Sequence, residues 1–299
     1  MNNIGLTNAQ KKAIEAEVLP AVKSHLDIWT KGVTTGDTWR IAPTHLALEH
    51  VQEKVAVIER YLPGFITPKS RVLEIGSGFG AFTTYTRAFY SWKTCSCEPD
   101  VGAIECSAKL ASAIGLRELP IARNPGERLP FADDSFDLVY SSNVLEHVKN
   151  PEGCLAEAMR VLCPGGYLFF TIPNYGSWWE GHYGILWIPH LPKCAARIYV
   201  RLYGRSASYV NTLNLISVPK LKFWLKVWKG CITVLTFGRD LWQERMETLT
   251  FGEWGSSGKL KHGLRLLHKW RFLLRPAILL GGWLHWYYPI ILVLRKERQ

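Results

Sequence analysis

The distribution of apolar and polar residues divides the chain into a helical beginning, a regularly alternating middle and an irregular end. Residues 7–31 are predicted to form a helix with Thr7 or Asn8 as its N-cap. In residues 44–62 apolar side chains recur at helical spacing, and a Pro-Gly pair at 63–64 ends this second predicted helix. Between residues 71 and 172 short apolar runs alternate with helical stretches. This alternation is typical of a parallel sheet with helices on both faces.

The alternating middle predicts four strands and three helices. The predicted strands span 71–75, 92–97, 136–141 and 167–172, and the predicted helices span 81–90, 103–114 and 152–162. Beyond residue 174 the alternation stops, and the aromatic-rich segment 175–216 is predicted to form a cap. A helix over 217–229 and two closing strands over 232–237 and 287–294 follow, with a second insertion over 238–286 between the strands.

A glycine-rich loop joins the first predicted strand to the next helix. Its relevant residues are Glu74, Gly76, Ser77, Gly78 and Gly80. Glycine leaves out the Cβ atom where a ligand must touch the backbone, and the helix that follows presents free N–H groups. Glu98 ends the next strand, at a distance where an acidic side chain accepts hydrogen bonds from both hydroxyls of a ribose. The loop therefore predicts a nucleoside-containing cofactor, and the alternative is a solvated Glu98.

Four motifs in a fixed order carry a family resemblance. They are the Glu-x-Gly-x-Gly-x-Gly loop, the Glu-Pro-Asp run at 98–100, the segment 127–147 and the segment 160–174. Together they resemble class I S-adenosylmethionine (SAM)-dependent methyltransferases of type 11 and of the ubiquinone-biosynthesis-like kind. The resemblance covers residues 70–175. It implies an α/β, Rossmann-like, seven-stranded and mostly parallel sheet, in which residues 287–294 form an antiparallel last strand.

The resemblance also implies SAM as the cofactor. The residues it assigns to the cofactor site are Glu74, Gly76, Ser77, Gly78, Gly80, Glu98, Pro99, Asn124, Glu127 and Asn143. By this likeness the glycines face the methionine part of SAM and Glu98 holds the ribose, while Asn143 contacts the cofactor near its sulfur.

Two positions depart from the family pattern. Relatives often carry an acidic residue for the adenine amine where this chain has Pro125, so we expect backbone groups or Asn124 to take that role. Ubiquinone-type enzymes also carry Glu-x-x-Glu-His, which has been proposed as a metal site. Here Asn143 replaces the first Glu and leaves only Glu146 and His147, so no metal is predicted.

Methyl transfer from a sulfonium mainly requires that the acceptor and the methyl carbon be aligned. An acceptor hydroxyl of high pKa also benefits from a general base, most often His. His147 follows the fourth strand, and His182 and Tyr183 follow the fifth, at the sheet edge where ligands bind in such folds. We therefore predict His182 as the catalytic residue, with His147 and Tyr183 as further candidates. The alternatives are that His147 only begins a helix and that the aromatic residues around 178–187 are core.

Charge is distributed unevenly along the chain. Residues 191–299 contain 19 Lys and Arg against 5 Asp and Glu, whereas residues 1–190 contain 17 against 20. Seven of the 13 Trp lie in the basic part. This asymmetry indicates contact with an anionic surface, either a membrane or a nucleic acid.

Two basic amphipathic segments favour the membrane. Residues 217–229 and 259–274 place Leu and Trp on one face and basic residues on the other, as suits a lipid interface. The first segment has an alternative fate, which is packing on the sheet, so the prediction of docking on an anionic membrane surface depends mainly on the second. The apolar stretch 272–293 is interrupted by Arg275, prolines and glycines, so no membrane span is predicted.

The cysteines and the first residues of the chain indicate where in the cell the protein is expected. The seven Cys show neither disulfide-framework nor zinc-site spacing, which indicates reduced thiols. The polar beginning of the chain does not resemble a signal peptide or an anchor. The protein is therefore predicted to be cytoplasmic and peripheral on the inner face of a membrane.

The predicted organisation is an N-terminal helical segment (1–69), a SAM-binding core (70–175), an acceptor cap (176–216) and a closing part (217–299). The predicted function is O-methylation of a small-molecule, sugar or lipid-linked acceptor near a membrane. The alternatives are an RNA methyltransferase and a non-catalytic SAM-binding protein. Nucleic acid is the less favoured partner, because residues 142–145 lack the Asn/Asp-Pro-Pro-aromatic motif of amino-methylating enzymes.

Overall fold

The computed structural model describes residues 4–30, 38–248 and 271–298. At its centre lies a seven-stranded sheet. The strands are β1 (Arg71–Ile75), β2 (Lys93–Cys97), β3 (Ile121–Ala122), β4 (Phe136–Ser142), β5 (Leu162–Ile172), β8 (Ile232–Thr236) and β9 (Ile290–Lys296). Across the sheet they lie in the order β3-β2-β1-β4-β5-β9-β8. The first five pair in parallel, and β9 is antiparallel to both β5 and β8. The predicted mostly parallel, Rossmann-like sheet with an antiparallel last strand is confirmed.

Helices surround this sheet. They are α1 (Asn8–Ala13), α2 (Leu19–Trp29), α3 (Thr38–Leu46), α4 (Leu48–Tyr61), α5 (Ala81–Tyr90), α6 (Val101–Ile114), α7 (Pro151–Val161), α8 (Lys193–Leu202), α9 (Ser208–Thr212), α10 (Val218–Trp224), α11 (Arg239–Thr248) and α12 (Arg271–Trp283). A π-helical segment at Ile14–Val18 links α1 to α2, so the first predicted helix forms as one continuous helical segment from Asn8 to Trp29.

Alternating residues of the central strands supply two cores. Leu138 of β4 belongs to the core that the sheet forms with α2–α6, whereas its neighbour Val139 belongs to the core on the opposite face. Successive side chains of a strand point to opposite faces, so a strand covered on both sides is apolar almost throughout. This double coverage explains the continuous apolar runs in the sequence.

Three elements differ from the sequence prediction. Helix α3 was not predicted, because Pro43 lies inside it and breaks the helical pattern. The extended backbone of Ala47 then separates α3 from α4. Strand β3 contains two residues, too few for a periodic signal, and β5 begins five residues before its predicted start at Tyr167.

The cap is a small layer with its own core. A two-stranded hairpin of β6 (Trp179–Glu180) and β7 (Ile185–Leu186) precedes α8 and α9. Tyr183 and Trp187 are buried within this layer, whereas Trp178 is about half exposed. The expectation that the aromatic residues are core therefore holds for part of the cluster.

The closing part packs on the second core. Leu221, Trp224 and Leu225 are buried there, so the apolar face of the predicted helix 217–229 meets the sheet rather than a lipid surface. The segment 259–274 lies outside the described residues except for the start of α12 at Arg271. Within the described part of the chain, no helix combines the length and apolar character that crossing a membrane would need.

Candidate active site

The three glycines of the loop after β1 all adopt positive φ angles, of +71°, +52° and +75° for Gly76, Gly78 and Gly80. A Cβ atom on Gly76 would collide with Val144, and one on Gly80 would collide with Ser107. A Cβ atom on Gly78 would meet no protein atom within 4 Å. Packing thus explains two of the glycines, while the backbone of Gly78 borders open space as a ligand-binding backbone requires.

Glu98 lies directly beside this open space. Its side chain is buried and accepts hydrogen bonds from the backbone N–H groups of Gly78, at 2.8 Å, and Asp100, at 3.0 Å. A carboxylate has about four acceptor positions, so two remain for ligand hydroxyls. Burial raises the pKa of Glu98, and the two backbone donors oppose that shift.

Helix α2 covers the same loop. His25 Nε2 lies 3.0 Å from Asp100 Oδ1, and the Trp29 ring stacks on Phe79 with 5.1 Å between centroids. Both contacts link the N-terminal helices to the glycine loop and to the Glu-Pro-Asp run. Sequence reasoning predicted helices in the N-terminal segment but missed His25 and Trp29, because no local pattern reveals which helical residues reach a distant loop.

Other predicted cofactor residues bind the protein itself. Glu74 accepts hydrogen bonds from the backbone and hydroxyl of Thr83, at 3.1 and 2.6 Å, and burial raises its pKa to about 7. Glu127 accepts from the backbone N–H groups of Lys149 and Asn150. Both carboxylates therefore anchor neighbouring segments.

The remaining predicted residues flank the glycine loop. The Ser77 hydroxyl is buried and has no hydrogen-bond partner among the described residues. Asn143 is exposed at the carboxyl end of β4 with a φ angle of +55°, and the next residue, Val144, packs against Gly76. Pro99 follows Glu98, and half-buried Asn124 follows β3. These residues lie at the carboxyl edge of the sheet, the usual ligand side of this architecture.

A second cluster lies beyond Asn143, where the cap meets the loop after β4. His182 Nδ1 lies 2.7 Å from Glu180 Oε1, and its Nε2 lies 3.3 Å from His147 Nε2. Glu146 Oε1 is 3.6 Å from His147 Nε2 and 3.9 Å from His182 Nε2. We call Glu146, His147, Glu180 and His182 the Glu-His cluster. The structure thus brings together His147 and His182, which the sequence indicated as separate candidates for the catalytic base.

Tyr183 takes a different position from its predicted catalytic partners. Its hydroxyl donates a hydrogen bond to the carbonyl of Ser206 at 2.7 Å, and its backbone N–H donates to Glu180 Oε2. The residue that contributes a ring at the cluster is Tyr209, whose centroid lies 5.5 Å from that of His182. Sequence reasoning missed Tyr209, which follows the hairpin by more than twenty residues.

The pKa values of the two imidazoles shift in opposite directions. Burial opposes a charge on His182, but its hydrogen bond with Glu180 and the Glu180 charge raise its pKa. Burial likewise disfavours the ionised form of Glu180, yet the bond from His182 holds its pKa below the usual value. For His147, burial dominates and lowers the pKa to about 4. One proton between the facing Nε2 atoms satisfies both rings.

Comparisons with known proteins agree with this fold. Residues 73–170, from β1 to β5, match the family model described as a methyltransferase domain. An uncharacterised methyltransferase of Mycobacterium avium (strain 104) is 33% identical over 159 residues, which are 51% of this chain and 60% of the relative. Residues 73–170 of this chain are therefore similar to a SAM-dependent methyltransferase domain. The chain spans about half to three fifths of the length of the curated relatives it matches.

Solved structures share the fold at low identity. The [4+2]-cyclase SpnF superposes with a TM-score of 0.52 at 16% identity and covers 99% of both chains. A phosphoethanolamine N-methyltransferase 2 of Haemonchus contortus, in complex with S-adenosylhomocysteine, gives a TM-score of 0.50 at 16% identity, covering 83% of this chain and 53% of that one. A cyclase beside a methyltransferase illustrates that this fold alone does not determine the reaction.

Proposed function

We propose that this protein transfers the methyl group of SAM to a hydroxyl oxygen of an acceptor held between the glycine loop and the cap. The observation that carries the proposal is the position of the Glu-His cluster, one short turn beyond the Asn143–Val144 segment that packs on Gly76. A cofactor site and a proton-accepting group thus share one edge of the sheet, as the transfer requires.

In this proposal different residues of the chain bind the cofactor, hold the acceptor and take up the proton. Gly78 and Glu98 bind and orient the cofactor, and the cap holds the acceptor against it. Bound SAM supplies a methyl group attached to a positively charged sulfur. When the methyl group is transferred, the sulfur is released as a neutral thioether. The acceptor oxygen forms the new bond to the methyl carbon, and the Glu-His cluster takes up the hydroxyl proton. Removing that proton matters most for an alcohol, whose pKa is high.

The first test concerns Glu98. Replacing Glu98 with alanine is expected to weaken SAM binding by about 1.5–3 kcal/mol, because hydrogen bonds to a charged group are lost. Isothermal titration calorimetry measures the change. Glu105→Ala, which removes an exposed carboxylate from the adjacent helix α6, serves as the matched control and is expected to leave the affinity unchanged. Equal affinities for Glu98→Ala and the unaltered protein would exclude Glu98 from the site.

We further propose that the acceptor is met at an anionic membrane surface. The described part of the basic region supports this with exposed apolar side chains beside lysines. Phe223 and Val227 are 67% and 76% exposed, and the Lys226 ammonium lies 5.6 Å from the Phe223 ring centroid. Trp283 of α12 is 71% exposed. Such a surface suits lipid with negatively charged headgroups.

Vesicle sedimentation tests the membrane proposal. The protein is expected to sediment with vesicles that contain anionic lipid, to do so less as salt rises, and to stay in solution with neutral vesicles. Changing Lys261, Arg265 and Lys269 to Glu is expected to weaken binding at least about 100-fold, since each basic residue contributes about 1 kcal/mol. Absence of sedimentation at low salt, or binding to RNA in its place, would contradict the proposal.

A further inference from the structure

The buried carboxylate of Glu146 faces two histidines. Its side chain is fully inaccessible to solvent, and neither oxygen accepts a hydrogen bond from any described residue. An ionised carboxylate in this position is strongly unfavourable unless a cation or a hydrogen-bond donor compensates its charge. The groups that face it are the Nε2 atoms of His147 and His182.

The spacing of these atoms matches a metal site. One ligand atom each from Glu146, His147 and His182 lies within 4.8 Å of the others, and the closest pairs are 3.3, 3.6 and 3.9 Å apart. Tetrahedral ligands at about 2.0–2.2 Å from a zinc ion are separated by about 3.3–3.6 Å. Small side-chain adjustments would therefore bring all three atoms to bonding distance.

The hydrogen bonds around His182 are also typical of a metal site. Glu180 binds His182 Nδ1 and so leaves Nε2 free to coordinate, as metal-binding histidines held by a carboxylate commonly do. Glu180 is itself fixed by the backbone N–H of Tyr183 at 2.6 Å and by the Tyr175 hydroxyl at 3.2 Å. This second layer holds the imidazole in one orientation and one tautomer.

We infer that Glu146, His147 and His182 bind a divalent transition-metal ion of the zinc class. Two imidazoles and one carboxylate leave at least one coordination position open, and His147 is more than one-third exposed, which gives access to it. The set differs from Glu-x-x-Glu-His, because the third ligand comes from the cap, 35 residues beyond His147, instead of from position 143. The sequence prediction of no metal considered only the local motif.

This inference rests on the proposed function and changes one step of it. With an ion bound to their Nε2 atoms, the two imidazoles no longer take up the hydroxyl proton themselves, and they activate the acceptor through the ion. A hydroxyl bound at the open position has a lowered pKa, so its proton passes to solvent and its oxygen stays on the ion as an alkoxide. That oxygen then forms the bond to the methyl carbon, while the electrons of the carbon–sulfur bond go to the sulfur. A divalent ion at this place would also neutralise Glu146.

The test begins with metal binding alone. Full-length protein treated with a chelator and desalted is titrated with Zn²⁺ by calorimetry and with Co²⁺ by visible absorption. We expect one ion per chain, with cobalt bands typical of low coordination number. His182→Ala and Glu146→Gln are expected to weaken binding at least about 100-fold, and Glu180→Gln about 10- to 100-fold. His190→Ala, an exposed histidine of the cap, is the matched control and should bind as the unaltered protein does.

Two outcomes would overturn the inference. One is that neither ion binds above the level of a His182→Ala/His147→Ala double variant, and the other is that His182→Ala binds as tightly as the His190→Ala control. Circular dichroism and SAM affinity identify variants that fail to fold, and His147→Ala replaces Glu146→Gln if the latter does. If chelation leaves methyl transfer unchanged while His182→Ala lowers it, the metal inference fails and the proposed function stands.

Discussion

Replacing Gly78 with leucine is expected to abolish SAM binding in a chain that still folds. Gly78 has a φ angle of +52°, and the side chain built there would enter the open space beside Glu98. Because no protein atom lies within 4 Å of that position, the new side chain would collide with the cofactor rather than with the core. The left-handed backbone costs roughly 1–2 kcal/mol for a residue with a Cβ atom, well below the usual stability of a domain.

Calorimetry with SAM and circular dichroism together measure this result. Gly115→Leu is the matched control, because Gly115 also has a positive φ angle, of +84°, and also borders open space, at the end of α6. The control carries the same backbone strain away from the loop and should retain SAM affinity. If both variants bind SAM normally, the glycine loop is not the cofactor site.

The second large effect is expected at His182. Changing His182 to alanine should lower turnover about 10²- to 10⁴-fold, the range for loss of a group that handles the acceptor proton. SAM affinity should stay within twofold, because the cluster acts on the acceptor rather than on the cofactor. Steady-state kinetics with the acceptor and calorimetry with SAM separate the two effects.

Tyr183 provides the control for His182. Its hydroxyl binds the Ser206 carbonyl, so Tyr183→Phe removes one hydrogen bond of the cap without changing the Glu-His cluster. Turnover of this variant is expected to stay within about tenfold of the original, which corresponds to about one hydrogen bond. A loss for Tyr183→Phe as large as that for His182→Ala would assign the chemistry to the tyrosine and contradict the account.

The fold was largely predictable because its signals are local. The apolar strand β1, the glycine turn and the helix α5 follow each other without a break, and Glu98 stands at the end of the next strand. Each signal reflects a requirement of neighbouring residues, either burial on two faces or a backbone with positive φ angles. Helix α3 was missed for an equally local reason, since a proline within it interrupts the pattern.

The site was predictable only in part. Glu180 and His182 are two residues apart, so their pairing could be expected from the sequence alone. The approach of His182 to Glu146 depends on how the cap hairpin folds back over the loop after β4. No pattern of apolar and polar residues in the sequence predicts that contact. The same holds for His25 and Trp29, which reach Asp100 from the N-terminal helices. Long-range packing, rather than residue type, decides these pairs.

The central claim is that this chain transfers a methyl group, and one measurement tests it most directly. Purified protein is incubated with SAM carrying an isotope-labelled methyl group, together with extracts of small molecules and lipids, and the products are analysed by mass spectrometry. The account predicts S-adenosylhomocysteine and a product in which one labelled methyl group has replaced a hydrogen of its precursor. Both are expected to be absent with Gly78→Leu and much reduced with His182→Ala. Tight SAM binding without S-adenosylhomocysteine or any labelled product in every extract would contradict the account and indicate a SAM-binding protein without transferase activity.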